Sequence, residues 1–357
     1  MTPSTPPVLP GIGGPQDLRR LTAPELARLA DEIRHLIITT VRRNGGHLAP
    51  SLGVEWVVPG PATQDGIHTE PSDPAQAEAS FRRRGKLARL LRRATEPLNL
   101  HRRQMGELER RIVADPSVQC LAVSEMVAEE FRRYYGRRQG VRTVYNAVDV
   151  PDPNDPRRDE WRKAVRQKLN VDESAVVFVT IAKNLELKGV GEAIAAFARW
   201  LREDKGGPEA RLVVVGRENP ELYLSWAQRR NVSGRVVFVP PTDNIFPWYA
   251  GADVCILLSW YDPCSRVVLE ATRWGIPSIT TVYNGAAEVL SGGGGIVVAS
   301  PKDADGVVRA MQELSDREAR RRRSDACRRV ADKLTVARHV DELLEAYAAC
   351  SRARKDR

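Results

Sequence analysis

An α/β fold with a doubly wound parallel sheet is predicted for residues 151–335, and three observations carry that prediction. Apolar runs recur along this stretch: AVVFVTI at 175–181, RLVVV at 211–215, VVFV at 236–239, VCILL at 254–258 and PSITT at 277–281. Each run is near-continuous rather than alternating, which is the pattern of a strand buried on both faces. Between the runs lie segments with helical spacing, such as Ile194, Phe197, Ala198 and Leu201. Strands that alternate with helices in this way build a parallel sheet covered on both sides.

Taken in order, the chain opens on a Pro-, Gly- and Thr-rich segment, 1–15, predicted to be disordered. Residues 16–55 hold an amphipathic helix with Leu21, Leu26, Leu29, Ile33, Leu36 and Ile37 at helical spacing. Thr22 and Glu25 form a capping box, and Asn44-Gly45-Gly46 ends the helix. Residues 56–78 read as a linker. Residues 79–150 begin with two basic helices carrying Arg82, Arg83, Arg84, Arg92, Arg93, Arg102 and Arg103. That arginine run fits a solvated face or contact with an anionic lipid or phosphorylated acceptor equally well, and the two readings stay open. A strand at 118–123, a helix capped by Ser124 and a strand at 142–148 complete this segment.

From 151 the predicted order is an approach loop and helix to Ser174, a strand at 175–181, and the loop Lys183-Asn184-Leu185-Glu186-Leu187-Lys188-Gly189 before a helix. A strand ending in Gly216-Arg217 follows, then a helix at 225–231, a strand at 236–239, a short helix at 245–250 and the strand at 254–258. Asp262, Pro263 and Ser265 then break the chain ahead of a helix at 266–274, and Gly275 ends it. Gly292–Gly295 reads as a turn. Helices at 303–314 and 316–349 precede a charged tail, with 336–357 taken as C-terminal helix and tail.

Composition limits the function. The chain has 357 residues, 42% hydrophobic and 28% charged, with a net charge of +9 and a pI near 9.5. It is long enough for two domains, and it has no apolar run of bilayer-spanning length. The N-terminus lacks the basic start and apolar core of a signal peptide. Cys120, Cys255, Cys264, Cys327 and Cys350 show no metal-ligand spacing, and an odd count without a framework predicts reduced thiols in a cytoplasmic protein. The positive charge fits a polyanionic substrate or an anionic membrane surface. With no zinc-finger spacing and no RNA-binding aromatic motif, nucleic acid is the weaker choice.

The candidate chemistry lies where the loop after 254–258 enters a helix. The first N–H groups of a helix favour an anion, and an ionised carboxylate suits the donors of a vicinal diol. Asp262 and Glu270, with Lys188 and Gly216 at the ends of other strands, can converge beyond the carboxyl edge of the sheet, where such folds bind ligands. A nucleotide sugar presents both phosphate and hydroxyls.

YDPCS at 261–265, VVLEA at 267–271, GIPSITT at 275–281 and NGAAE at 284–288 occur in that order. This stretch resembles the family 4 glycosyltransferases, whose signature is an acidic residue, seven others and then Glu. It looks closest to the branch that glucosylates the lipopolysaccharide core. AVSEMVAEEFRRYYG and VRTVYNAVDV extend the resemblance to about 68–350, with Asn146 and Asp149 matching an Asn-Gly-Val-Asp link. The resemblance implies two Rossmann-like nucleotide-fold domains (GT-B), of which the first is expected to be incomplete here. It implies hexose transfer from a nucleotide sugar, UDP-glucose the favoured donor, to a lipid-linked or lipopolysaccharide-type acceptor with retention of configuration. It further implies no metal or cofactor, and a cytoplasmic enzyme peripheral to the inner membrane face. An incomplete first domain leaves room for completion by another subunit.

The same resemblance assigns roles. Lys188 grips the diphosphate, supported by Asn184, Gly189, Gly216 and the helix-opening N–H groups of Ser265, Arg266 and Val267. Glu270 holds the ribose hydroxyls and Asp262 those of the transferred sugar. Glu186 stands where relatives place an Arg, and its charge would repel the phosphate unless it points away. Cys264 is read as a packing residue. An alternative is a donor-binding remnant without catalysis, or an interaction module using the basic helices. Residues 16–55, with GGHLAPSLG at 45–53, resemble the N-terminus of 1-deoxy-D-xylulose-5-phosphate synthase. There the residue matching His47 serves thiamine diphosphate, but the downstream GDG…N motif is lacking, so a fragment without thiamine activity is expected.

Overall fold

The computed structural model describes residues 118–204 and 207–355, together with residues 20–22, 24, 25, 28, 29, 32, 83, 113, 114 and 116. The predicted N-terminal disorder, the linker at 56–78, His47 and the basic helices other than Arg83 lie outside the described residues. Two compact units divide the chain. One joins residues 1–54 to 336–357 and contains α9 (Val336–Lys355); there, Glu25 accepts from the Thr22 N–H at 2.8 Å and from its hydroxyl at 2.7 Å. The other, 55–335, holds the two sheets found among the described residues.

Within 55–335, the described residues include β1 (Cys120–Ala122), α1 (Glu125–Tyr135) and β2 (Val141–Thr143), with β1 and β2 parallel. Ser124 caps α1 by accepting from the Val127 N–H at 3.2 Å, and Gly136 ends it in the left-handed region that glycine tolerates. The predicted strand at 142–148 stops at Thr143. The Val144 N–H still donates to the Ala122 carbonyl of β1 at 2.8 Å; from there on Asn146 donates to the Cys264 carbonyl at 2.9 Å and the Val148 N–H to Leu334 at 3.0 Å, so residues 145–148 serve as a crossing.

The main sheet contains β3 (Val176–Ala182), β4 (Ala210–Gly216), β5 (Val236–Val239), β6 (Val254–Leu257), β7 (Ser278–Thr281) and β8 (Gly295–Val298). Its order is β5-β4-β3-β6-β7-β8 and every pairing is parallel. The helices are α2 (Arg157–Lys168), α3 (Val190–Glu203), α4 (Glu221–Arg229), α5 (Phe246–Gly251), α6 (Arg266–Arg273), α7 (Ala304–Ser315) and α8 (Arg317–Val330). Phe178, Leu212 and Ile256 on one sheet face pack with Ile194 and Phe197 of α3, Tyr223 of α4 and Met311 of α7. Val177, Val213 and Leu257 on the other face pack with Val165 of α2, Tyr249 of α5 and Val268 and Leu269 of α6. Burial on both faces is why these strands read as unbroken apolar runs.

The strand order reverses at β3. From β3 the chain winds outward through α3 to β4 and then β5; it returns through α5 to β6 on the other side of β3 and winds out through α6 to β7. After β3 the chain enters α3 on one sheet face and after β6 it enters α6 on the other, and the carboxyl ends of two such strands are where folds of this kind bind ligands. Arg166 fixes the opposite end. Its guanidinium, 2% exposed, donates to the carbonyls of Asp172, Ala175 and Gly251 and to Asp253. Asp253 Oδ2 also accepts from the Val177 N–H at 2.8 Å, locking β6 against β3.

Three expectations need correction. Residues 292–295 are not all turn: β8 starts at Gly295 and forms the sheet edge. The helix expected at 225–231 starts at Glu221, after Pro220. The helix expected from 316 to 349 breaks into α8, a 3₁₀ turn at Ala331–Leu334 and α9.

Candidate functional site

The loop after β3 is wound tightly. Asn184 Oδ1 accepts from the Leu187 N–H at 2.7 Å, and the Asn184 carbonyl from the Lys188 N–H at 3.1 Å. Leu185, 1% exposed, anchors the loop in the core, and its N–H donates to Glu218 beyond β4 at 2.9 Å. Two glycines permit this. Gly189 has φ +66° and precedes α3, and a Cβ there would collide with the Leu258 carbonyl oxygen. Gly216 ends β4 where a Cβ would lie 2.5 Å from the Ala182 carbonyl oxygen. The Trp260 N–H donates to the Leu187 carbonyl at 2.9 Å, tying this loop to the one after β6.

That tie brings Lys188 and Asp262 together. Lys188 Nζ lies 2.5 Å from Asp262 Oδ2, with the two side chains 21% and 11% exposed. A cation and a carboxylate therefore face each other at the carboxyl ends of β3 and β6, where the strand order reverses. Asp262 is held by its backbone: its N–H donates to Tyr283 at 2.9 Å and its carbonyl accepts from Gly285 at 2.9 Å.

Beyond Asp262 the chain enters α6. Ser265 occupies the N-cap position but makes no side-chain capping bond. Its N–H, which the sequence reading aims at phosphate, donates to Asn284 Oδ1 at 3.2 Å. The helix is then opened by the amides of Arg266 and Val267, at an end that its own cap residue does not cover. Cys264 is buried among apolar neighbours, as a packing residue is.

Glu270 sits one turn further on, 8% exposed. Tyr249 donates its hydroxyl to Glu270 Oε2 at 2.9 Å. Arg266 Nη2 lies 3.6 Å from Oε1, beyond hydrogen-bond range. Burial pushes the Glu270 carboxyl above the ordinary carboxylate range, while Arg266 and the Tyr249 phenol pull against it. Glu186, whose side chain is 56% exposed, lies 3.0 Å from Arg83 Nε.

Three residues of the site's framework have no role in the sequence reading. Glu288 closes the NGAAE block, and its carboxylate accepts from the N–H groups of Glu125 and Met126 at 2.9 and 2.8 Å and from the Tyr145 hydroxyl at 2.6 Å. It thereby covers the start of α1. Asn284 holds Ser265, Ala286 and Thr280 together. Tyr249 reaches Glu270 from α5. Only the position of Glu288 and Asn284 within a matched block could have drawn attention to them, and nothing local marks Tyr249.

Comparison with known proteins identifies the parts. Residues 173–317 match the family "Glycosyl transferases group 1", and residues 9–58 match "1-deoxy-D-xylulose-5-phosphate synthase". N-acetyl-alpha-D-glucosaminyl L-malate synthase of Bacillus anthracis is 28% identical over 210 residues, covering 58% of this chain and 53% of its own. The chain thus spans about half the length of that relative. Among solved structures, WaaG, a glycosyltransferase involved in lipopolysaccharide biosynthesis, aligns with TM-score 0.60 and 21% identity, over 75% of this chain and 70% of its own. Anabaena Alr3699/HepE in complex with UDP-glucose aligns with TM-score 0.57 and 19% identity, over 65% and 64%. Residues 173–317 are a glycosyl transferases group 1 domain, the parallel α/β fold is that of such enzymes, and the N-terminal segment is synthase-like.

Proposed function

We propose, from the glycosyl transferases group 1 domain at 173–317, that this chain is a hexosyltransferase using a nucleotide sugar. The observation that carries the reading is the meeting of Lys188 and Asp262 at the β3–β6 reversal, beside a helix start that Ser265 does not cap. Transfer from a nucleotide sugar leaves a diphosphate while the sugar gains positive charge. Fixed positive charge and aimed N–H groups stabilise that departure. Lys188 and the amides of Arg266 and Val267 supply both, so the reading needs no metal. Glu270 accepts from the ribose hydroxyls, and Asp262 accepts from hydroxyls of the transferred sugar once the diphosphate has drawn Lys188 away.

The donor we favour is UDP-glucose, which the structure of Alr3699/HepE holds. The likeness to WaaG and the basic composition support a lipid-linked or lipopolysaccharide-type acceptor, reached from the cytoplasmic face of the membrane. No described helix is long and apolar enough to cross a membrane. Neither carboxylate is assigned as a covalent nucleophile. Retention follows in this reading from same-face attack, with the departing phosphate taking the acceptor's proton.

The test is calorimetric titration of UDP and UDP-glucose into the wild type, Lys188→Ala and Glu270→Ala, followed by turnover with a lipid-linked glycan. Binding that both substitutions abolish, with turnover, supports the transferase. Binding without turnover supports a donor-binding remnant. Absence of nucleotide binding contradicts the reading.

A further inference from the structure

We infer that Tyr249 is a positioning residue that fixes the carboxylate of Glu270 for recognition of a ribose diol. The inference rests on the nucleotide-sugar reading above. Tyr249 belongs to α5, on the far side of β6 from α6 in sequence, and it lies in none of the blocks that carry the family resemblance. Its phenol has one proton and two acceptors in reach, Glu270 Oε2 at 2.9 Å and the Val267 carbonyl at 3.3 Å. The carboxylate is nearer and, when ionised, the stronger acceptor, so the proton belongs there. Burial holds the phenol's own ionisation well above its ordinary range, so Tyr249 remains a donor wherever Glu270 is charged.

The phenol can direct Glu270 because its ring cannot easily move. Tyr249 is 1% exposed, and its ring packs against Trp274 at 6.4 Å between centroids. Trp274 is itself held by Phe246 at 5.7 Å, by Trp161 at 6.3 Å and by an indole N–H bond to the Pro151 carbonyl at 2.9 Å. Arg158 lies over the same indole at 5.2 Å. A carboxylate is planar, so pinning Oε2 also sets the direction of the Oε1 lone pairs. A vicinal diol needs two acceptor directions at a set spacing, and a shell whose side chains are locked by packing provides them at little ordering cost.

The experiment compares the dissociation constants of UDP and 2′-deoxy-UDP, and of the GDP and ADP pairs, for wild type, Tyr249→Phe, Glu270→Ala and Phe246→Leu. The wild type is expected to prefer the ribonucleotide by about tenfold or more, the scale of a hydrogen bond to a charged group. Tyr249→Phe keeps the ring and its packing but loses the donor. Its preference should fall to about twofold, with affinity for the deoxynucleotide unchanged. Phe246→Leu loosens the aromatic shell but keeps the phenol, so it should lower the melting temperature and retain more of the ribose preference than Tyr249→Phe does. The acid limb of ribonucleotide binding should also move to higher pH in Tyr249→Phe, because the phenol favours the ionised carboxylate. A full ribose preference in Tyr249→Phe, alongside its loss in Glu270→Ala, overturns the inference and leaves the nucleotide reading standing. A wild type that binds none of the nucleotides overturns both.

Discussion

Replacing Asp262 by Asn should tighten the binding of UDP while impairing transfer. In the resting site Lys188 Nζ is 2.5 Å from Asp262 Oδ2, so a diphosphate must compete with that carboxylate for the ammonium. A hydrogen bond to a charged group is worth about 1.5–3 kcal/mol net. Lys188 is 21% and Asp262 11% exposed, so solvent screens the pair only in part, and about 1–2 kcal/mol is a reasonable share for the competition. The amide of Asp262→Asn would keep the shape, weaken the hold on Lys188 and remove a negative charge near the phosphates. Both electrostatic effects have the same sign. At about 1.4 kcal/mol per decade, the dissociation constant for UDP should fall about 5- to 30-fold. Turnover of UDP-glucose should fall, because a carboxylate acceptor for the sugar hydroxyls is gone. Calorimetry at low and moderate salt measures the first effect and product release the second. Unchanged or weaker UDP binding in Asp262→Asn would refute the competition.

Gly189→Ala should cost about 2 kcal/mol or more, since Gly189 is in the left-handed region and a Cβ would strike the Leu258 carbonyl; urea unfolding reads the loss, and nucleotide binding should weaken with it. Glu288→Ala removes the acceptor for two α1 amides and the Tyr145 hydroxyl. It should cost about 2 kcal/mol, with hydrogen exchange of Glu125 and Met126 accelerated more than that of β3. Glu270→Gln should stabilise the fold at about pH 7.5. Burial raises the Glu270 pKa in the folded state, so the folded chain holds the proton more tightly than the unfolded chain. Its contribution is fully present below the ordinary value of 4.5 and is lost as pH rises through the raised folded value. The melting-temperature gain of the Gln variant should therefore shrink as pH is lowered toward 4.5, and a gain that grows on acidification would contradict the assignment.

The central strands were legible because β3, β4 and β6 are buried on both faces and are apolar along most of their length, with Thr180 and Arg211 the polar residues of β3 and β4. β8 was not: Gly292–Gly295 signals a turn, yet Gly295 is a strand residue, placed where a Cβ would meet the Ser278 carbonyl. The run 142–148 misleads for the opposite reason. Its start pairs with β1 through Arg142 and Thr143, whereas Val148 is apolar because it joins the core beneath α6 and α5. Lys188, Asp262 and Glu270 are visible in sequence because each lies in a local pattern, a Lys-Gly before a helix or two acids eight apart. The contacts that hold them are long-range, Tyr249 to Glu270 and Glu288 to α1, and no spacing along the chain records them. Glu186 was a puzzle at the level of sequence, and its neighbour Arg83 belongs to a segment far upstream along the chain.

Hydrogen–deuterium exchange with and without UDP tests the placement of the ligand most directly. Protection should concentrate in residues 184–190 and in the first turn of α6, 265–269, which meet at the carboxyl ends of β3 and β6. Protection confined to any other part of 118–335, or none at a UDP concentration that saturates calorimetric binding, would contradict it.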